Sequence, residues 1–389
     1  MKVLYYTSTA FMDISAEIIR VLKGPVELHV LIEITPGSKN ENIIDVEQLP
    51  EGEVFVHPGR LLKPQDWEYL KPYFEGVASV NFIVHAHKSL LTSLTTSRQA
   101  FQYIRRINPD IFHLEALQIR AVGLLPALLG IKKMLIAVHD PLPHSGEGSW
   151  KISLLRGAFY RFPRPKGYLL YSAFARQQFD LHHPQLKGSR HVLQLVPYSY
   201  YLNYRQKQEP QRKHLLFFGR LSPYKGIDVL LEAFPAVAAR FPNEKLVVAG
   251  KSFGGYELDA GLVEKNRERL TFINRYLNNQ ELVSLISEAK FIVCPYKDAT
   301  QSGVLMTAFA LNTPVIATDV GAFPEVIEEG INGLLVPVND AQALARKMIQ
   351  ALEGNLFRQL EENLISSQAL ETGLAYNQAR LLEAYSGKA

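Results

Sequence analysis

Hydrophobic positions along the chain fall into two series in which short apolar runs alternate with amphipathic stretches. In the first series Val3–Tyr6, Val26–Ile32, Val80–His85, Asp110–Leu114, Met134–Val138, Gly167–Tyr171 and Val192–Val196 have the length and content of strands. Between them Ile14–Leu22, Ser93–Ile107 and Ala116–Leu129 repeat apolar residues at helical spacing, the first with Asp13 or Ser15 near its cap. Pro36–Arg60, rich in charge, Gly and Pro, interrupts the alternation and reads as an irregular insertion. The second series has strand patterns at Leu215–Phe218, Leu246–Ala249, Leu270–Ile273, Phe291–Val293, Val315–Ala317 and Leu334–Val336. Its helices include Glu281–Ala289, opened by Asn279, and Ala341–Leu352, with Asp340 as cap and Gly354 beyond its end. A final helix is expected over Tyr376–Tyr385. Strands alternating with helices imply parallel sheets covered on both faces. The polar, basic stretch Tyr198–Lys213 separates the series. The expected fold class is therefore α/β, two doubly wound halves of similar size with a cleft between them.

The stretch His214–Asp228, HLLFFGRLSPYKGID, anchors the second half. An apolar run gives way to Gly219-Arg220 and a short loop with Pro223 and Gly226. Ile227, Leu230, Leu231, Phe234 and Val237 then mark one helix face, and Pro235 is expected to kink or split that helix. Arg220 and Lys225 thus flank a strand-to-helix turn at the carboxyl end of a strand, the edge where open α/β sheets bind ligands. Two cations beside a helix N-terminus make a receptor for a diphosphate.

At 389 residues the chain is long enough for two domains, and about half of it is apolar. A net charge of +4 is too mild to indicate a nucleic-acid partner. Met1-Lys2 leads straight into Val3–Tyr6, so no signal peptide is expected, and the longest apolar run, Ala121–Ile131, is too short to span a bilayer. The single cysteine, Cys294, lies in an apolar run and reads as a buried, inert thiol. With no disulfide and no Cys/His metal spacing, a cytoplasmic location without metal or cofactor is expected.

Three motifs now carry a resemblance. FFGRLSPYKGIDVLLEAF, KLVVAG and SGVLMTAFALNTPVIATDVGAFPEVIEEGINGLLVP, in this order and spacing, are similar to those of the family 4 retaining glycosyltransferases. The likeness spans nearly the whole chain and is most specific over Leu216–Pro337. It implies the GT-B architecture, two Rossmann-like domains facing across a cleft, with the last helix crossing back to the first domain. Boundaries expected on that basis are 1–200 for an acceptor-binding domain, 201–372 for a nucleotide-sugar-binding domain and 373–389 for the returning helix. It also implies transfer of a sugar from a nucleotide-sugar donor, of UDP or GDP type, to a hydroxyl of a glycan or lipid-linked acceptor, with retention. A role in surface-polysaccharide or glycolipid assembly follows from the same analogy.

Carried over residue by residue, the resemblance makes Arg220 and Lys225 the pair on the donor diphosphate. Prepositioned cations there stabilise the charge left when the glycosidic bond breaks. His139, in VHDPLPH, matches a histidine that faces the donor sugar. Gly219, Gly250, Asn274, Arg275, Gln301, Ser302, Gly303, Val304 and Thr307 fall on donor-binding segments. The Ser302-Gly303-Val304 turn would offer free N–H groups to anionic oxygens. Gly321 and Glu325 fit a later turn and helix, where Glu325 suits the helix dipole. Ser8, Asp140 and His144 are candidates for touching the acceptor or orienting His139. No Asp-x-Asp motif occurs, which fits a metal-independent enzyme.

Two departures stand out. The family's two glutamates, eight positions apart, correspond here to Ala299 and Thr307; Asp298, Gln301 or Thr307 would have to supply hydrogen bonds instead. Ser8-Thr9-Ala10 stands where a double glycine is usual. The missing carboxylates keep alive a catalytically silent nucleotide-sugar binder, and a sugar-nucleotide epimerase on the same fold is a further alternative. Separately, the segment 151–166, KISLLRGAFYRFPRPK, holds five basic and no acidic residues among Ile152, Leu155, Phe159, Tyr160 and Phe162. It could rest on an anionic membrane or pack as an ordinary amphipathic helix.

Overall fold

The computed structural model describes residues 1–85, 90–142, 150–163, 166–206 and 211–387. Its strands, in chain order, are β1 Lys2–Ser8, β2 Glu27–Ile34, β3 Asn40–Glu41, β4 Ile44–Asp45, β5 Phe55–Val56, β6 Ser79–Val84, β7 Ile111–Leu114, β8 Lys133–Val138, β9 Lys166–Leu170 and β10 Ser189–Val192. They continue with β11 His214–Phe218, β12 Leu246–Gly250, β13 Leu270–Asn274, β14 Ala289–Cys294, β15 Val315–Thr318 and β16 Gly333–Val336. Eight form one sheet, ordered β10-β9-β8-β7-β1-β2-β6-β5, and six form a second, ordered β13-β12-β11-β14-β15-β16. All pairings in the two sheets are parallel except β5 against β6. The apolar runs become strands because helices cover both faces; every residue of β11 and β12 is buried.

Strand order decides where a ligand can lie. In the second sheet the chain runs from β11 outward to β12 and later returns to β14 on the other side. The switch point is therefore between β11 and β14, where the diverging connections leave a crevice at the carboxyl ends. In the first sheet the corresponding point lies between β1 and β7.

Three expectations are corrected. Pro235 neither splits nor ends its helix, which runs through Ile227–Arg240. The carbonyl that its missing N–H would have met, on Leu231, accepts instead from Asn266 Nδ2 at 2.9 Å. Ala116–Leu129 is not one helix: Ile119–Leu124 winds as a 3-10 helix and Pro126 sits near the start of a separate turn, Leu125–Leu128. Val192–Val196 is mostly not strand, since β10 ends at Val192. Beyond it the Gln194 N–H donates to Asn377 Oδ1 and the Gln194 carbonyl accepts from Asn377 Nδ2, both at 2.8 Å. A side-chain amide does the work of a neighbouring strand.

That asparagine lies on the last helix, Ala369–Ser386, which returns to the first sheet. Gln378 Nε2 donates to the Val21 carbonyl at 2.8 Å, and Lys133 Nζ donates to the Ala384 carbonyl at 2.5 Å. The Pro36–Arg60 stretch contains the antiparallel β3–β4 hairpin and β5, and the hairpin also touches the second half. Tyr276 Oη donates to the Asn42 carbonyl at 2.7 Å.

Candidate active site

The bend after β11 is built on glycine. Gly250, φ +152°, ends β12, and a Cβ there would stand 1.7 Å from the Gly219 carbonyl oxygen. Only a residue without a side chain lets the two strand ends come this close. At the other end of the bend Gly226, φ +66°, closes the Pro223–Lys225 turn and starts the next helix. A side chain there would strike the Pro295 carbonyl at 1.9 Å, so this turn is pressed against the segment after β14. A Cβ on Gly219 would likewise meet Val304 Cγ2 at 3.2 Å. The Arg220–Lys225 bend and the Ser302–Val304 turn therefore flank one switch point.

Arg220 is exposed, its guanidinium 4.7 Å from the centre of the Phe253 ring. Lys225 is buried, its ammonium 3.8 Å from the centre of the Tyr296 ring and 4.9 Å from that of Tyr224. Aromatic faces partly offset the cost of taking a cation out of water. Ser302 ends the loop after β14 and starts the helix Gly303–Ala310 without capping it, and its buried Oγ has no hydrogen-bond partner. The Ser302 side chain therefore does not satisfy the first N–H groups of that helix.

From the first half, His139 follows β8 and points at the same turn. Its Nδ1 lies 3.0 Å from Gln301 Nε2. Its Nε2 lies 3.0 Å from Glu115 Oε1 and 3.1 Å from the Glu115 carbonyl oxygen. The imidazole is stacked between Phe11, ring centres 4.3 Å apart, and Tyr171, 5.1 Å apart. Burial would raise the Glu115 carboxyl, but hydrogen bonds from His113 and His139 outweigh it and hold the group far below the usual carboxylate range.

Residues 212–354 match the profile of the family described as Glycosyl transferases group 1. This part of the chain is similar to the group 1 glycosyl transferases. The phosphatidyl-myo-inositol mannosyltransferase of Mycobacterium tuberculosis is 35% identical over 158 residues, covering 38% of this chain and 40% of that protein. The D-inositol 3-phosphate glycosyltransferase of Saccharomonospora viridis is 34% identical over 145 residues, 34% of each chain. The chain thus aligns with about two-fifths or less of the length of these relatives. The fold is matched over the whole chain by Anabaena HepE in complex with UDP-glucose, at TM-score 0.66 and 14% identity. Sucrose-phosphate synthase from Thermosynechococcus elongatus matches over the whole chain at TM-score 0.64 and 15% identity. The architecture is the GT-B fold, two Rossmann-like domains with the last helix crossing back.

The other expected residues divide. Asn274 Oδ1 accepts from the Ser252 N–H at 3.0 Å, tying the ends of β13 and β12 together beside the cleft. Arg275 is turned away into a two-pronged ion pair with Glu281, at 2.7 and 2.9 Å. Thr307 is buried and its hydroxyl donates to the Gly303 carbonyl at 2.9 Å, so its proton is committed within its own helix. Ala299 is buried as well. Ser8 Oγ accepts from Gln118 Nε2 at 3.1 Å. Asp140 follows His139 directly; His144 lies outside the described residues. Cys294 is buried and its thiol is pushed up to about 12 by burial, as an inert core group should be. Glu325 does more than suit its own helix dipole. Its two carboxylate oxygens accept from the Ala173 and Phe174 N–H groups, at 2.8 and 2.7 Å, capping a helix of the other domain.

Two cleft residues escaped the sequence reading. Asp13 was expected only as a helix cap, yet its Oδ2 would lie 3.7 Å from a Cβ on Gly303, across the cleft. Burial raises its carboxyl to about 6, against hydrogen bonds from Asn42 and the Ile14 N–H and the nearby His139. Glu41, on the β3–β4 hairpin, is also raised by burial, against a hydrogen bond from Thr9 and the charge of Arg220. Its segment reads in the sequence only as an irregular insertion. Segment 151–166 lies mostly inward: Leu155, Phe159, Tyr160 and Phe162 are buried in its own domain, while Leu154 and Arg161 face out. Arg164 and the side chains of Lys151 and Ile152 are outside the described part. No helix of the described residues is long and apolar enough to cross a membrane.

Proposed function

We propose that this chain transfers a sugar, with retention and without a metal, from a nucleotide-sugar donor to an acceptor hydroxyl in glycolipid or surface-polysaccharide assembly. The observation that carries the reading is the convergence on one switch point of Arg220, Lys225 and the Ser302–Val304 helix start, which has no side-chain cap, with His139 facing them from the other domain. In this reading residues 201–372 hold the donor and 1–200 the acceptor. Arg220, Lys225 and the helix start take the diphosphate; each fixed donor aimed at developing charge is worth about 3 kcal/mol in a dry site. Gly219, Gly250 and Asn274 frame the nucleotide. His139 and Gln301 meet the sugar, and Gln301, whose buried Oε1 has no partner, stands in for the absent glutamates. UDP is the favoured nucleotide, because HepE carries UDP-glucose on the same fold. A lipid acceptor fits the names of the mannosyltransferase relatives. The enzyme would work in the cytoplasm, with Leu154 and the basic flank of 151–166 against anionic headgroups.

The test is donor turnover. Wild-type protein with UDP-sugars and GDP-sugars should release nucleotide, unaffected by chelator, and Arg220→Ala should lower kcat about a hundredfold or more. Unchanged turnover in that variant overturns the assignment. Sedimentation with anionic liposomes at low salt, weakening as salt rises, checks the membrane contact. A second reading, the silent binder, is favoured by one observation: Ala299 is buried and Thr307 is hydrogen-bonded to its own helix, so neither family carboxylate is replaced in place. Nucleotide-sugar binding with no turnover for any donor would decide for it.

A further inference from the structure

Behind His139 lies a chain of hydrogen bonds that sugar transfer as proposed above does not use. Tyr385, on the last helix, places its Oη 2.7 Å from His113 Nδ1. His113 Nε2 is 3.1 Å from Glu115 Oε2, and Tyr171 Oη donates to Glu115 Oε1 at 2.6 Å. His139 Nε2 closes on the same carboxylate, and its Nδ1 reaches Gln301 on the far side of the cleft. His113 and Glu115 are fully buried.

With both rings neutral, one set of protons satisfies every contact. An ionised carboxylate only accepts, so the nitrogens facing Glu115 must both carry hydrogen. The Glu115 backbone carbonyl, also facing His139 Nε2, demands the same. His113 Nδ1 then keeps a lone pair, which accepts from the Tyr385 hydroxyl. His139 Nδ1 keeps a lone pair too, which accepts from the Gln301 amide. Tyr171 serves twice, donating to Glu115 and stacking at 11° on the His139 ring. With Phe11 on the other face, the ring can neither flip nor tilt freely.

We propose that Glu115 is a positioning residue for His139: it holds the ring as the Nε2–H tautomer and turns the Nδ1 lone pair to the cleft, so that His139 receives a hydroxyl of the donor sugar as a hydrogen-bond acceptor. This rests on the reading of His139 as the group that meets the sugar. Gln301 Nε2 faces that lone pair; the sugar hydroxyl takes its place, and the freed amide joins Gln301 Oε1 in binding the sugar. His113 and Tyr385 fix Glu115 from behind, so the returning helix supports the reacting centre and not only the fold.

The experiment combines kinetics with ring chemistry. Glu115→Gln keeps shape and removes charge. It should lower kcat for donor turnover about a hundredfold, the order expected of a misplaced reacting group, with donor KM within about twofold. In a His139→Ala background the same substitution should change kcat by less than about twofold, because the two residues act as one unit. An equal loss in both backgrounds, a loss confined to KM, or no loss overturns the proposal. Nitrogen NMR of histidine-labelled wild-type protein, without substrate, should find the His139 proton on Nε2; a proton on Nδ1 instead overturns it, even if Glu115→Gln fails to fold. Wild-type protein without donor turnover sinks the transferase reading, while the ring measurement still decides the Glu115 assignment.

Discussion

At the residue scale, the site is a set of charges that burial has made expensive and neighbours have made tolerable. Lys225 lies against tyrosine faces, Glu115 collects three side-chain donors, and Asp13 is left with weaker compensation. The consequence for Asp13 is measurable. Its carboxyl is raised in the folded protein to about 6 from an ordinary 3.8, so the folded state holds the proton more tightly than the unfolded one. Stability from this group is present at low pH and is lost as pH rises from about 4 to about 6. Asp13→Asn should therefore match wild type near pH 4 and be more stable at pH 7.5, by about 3 kcal/mol. Thermal melts across that range check it; a wild-type advantage at pH 7.5 contradicts it. None of this was legible in the sequence, where Asp13 is one acid at a helix start. Its cost comes from what Asn42, His139 and Gly303 enclose around it.

At the scale of elements, strands were legible and their ends less so. A central parallel strand must be apolar on both faces, so each run announces itself. Val192–Val196 misled because Leu193, Leu195 and Val196 are apolar for another reason: they pack below a helix whose Asn377 satisfies the backbone of Gln194. Asn377→Ala strips both of those bonds and should cost about 1–3 kcal/mol, a fall of several degrees in Tm by calorimetry. The helix Ala173–His182 shows the same dependence on a distant partner. Ser172 caps it through the Ala175 N–H, but its first two N–H groups are taken by Glu325 of the other domain. Glu325→Ala should quicken hydrogen exchange at Ala173 and Phe174 about fivefold, equivalent to ~1 kcal/mol of lost capping. Unchanged exchange there means the contact carries no energy.

At the scale of the whole molecule, two sheets are joined at several points around one cleft: His139 to Gln301, Glu325 to Ala173 and Phe174, and Tyr276 to Asn42. On the proposed reading, a donor entering between the domains would exchange the first of these for its own contacts and keep the others as closure contacts. Opening is therefore expected to loosen the β3–β4 hairpin and the Glu325 clamp together. A saturating nucleoside diphosphate should slow exchange at both, and raise Tm by an amount that grows with ligand concentration. Protection at one without the other would argue against concerted closure.

Periodicity alone indicated two mainly parallel α/β sheets, and local chemistry placed Arg220 and Lys225 at a strand-to-helix turn, while Ser302 was placed by the family resemblance. Such features depend on residues within a few positions of each other, so a linear pattern contains them. Which turns share a crevice depended on strand order, and strand order is set by crossovers that span tens of residues. The partnership of Glu115 with His139, the clamp on Ala173, and the placement of Asp13 and Glu41 beside the cleft came from that order. Buried charges take their meaning from what surrounds them in space, and only the folded chain supplies those surroundings.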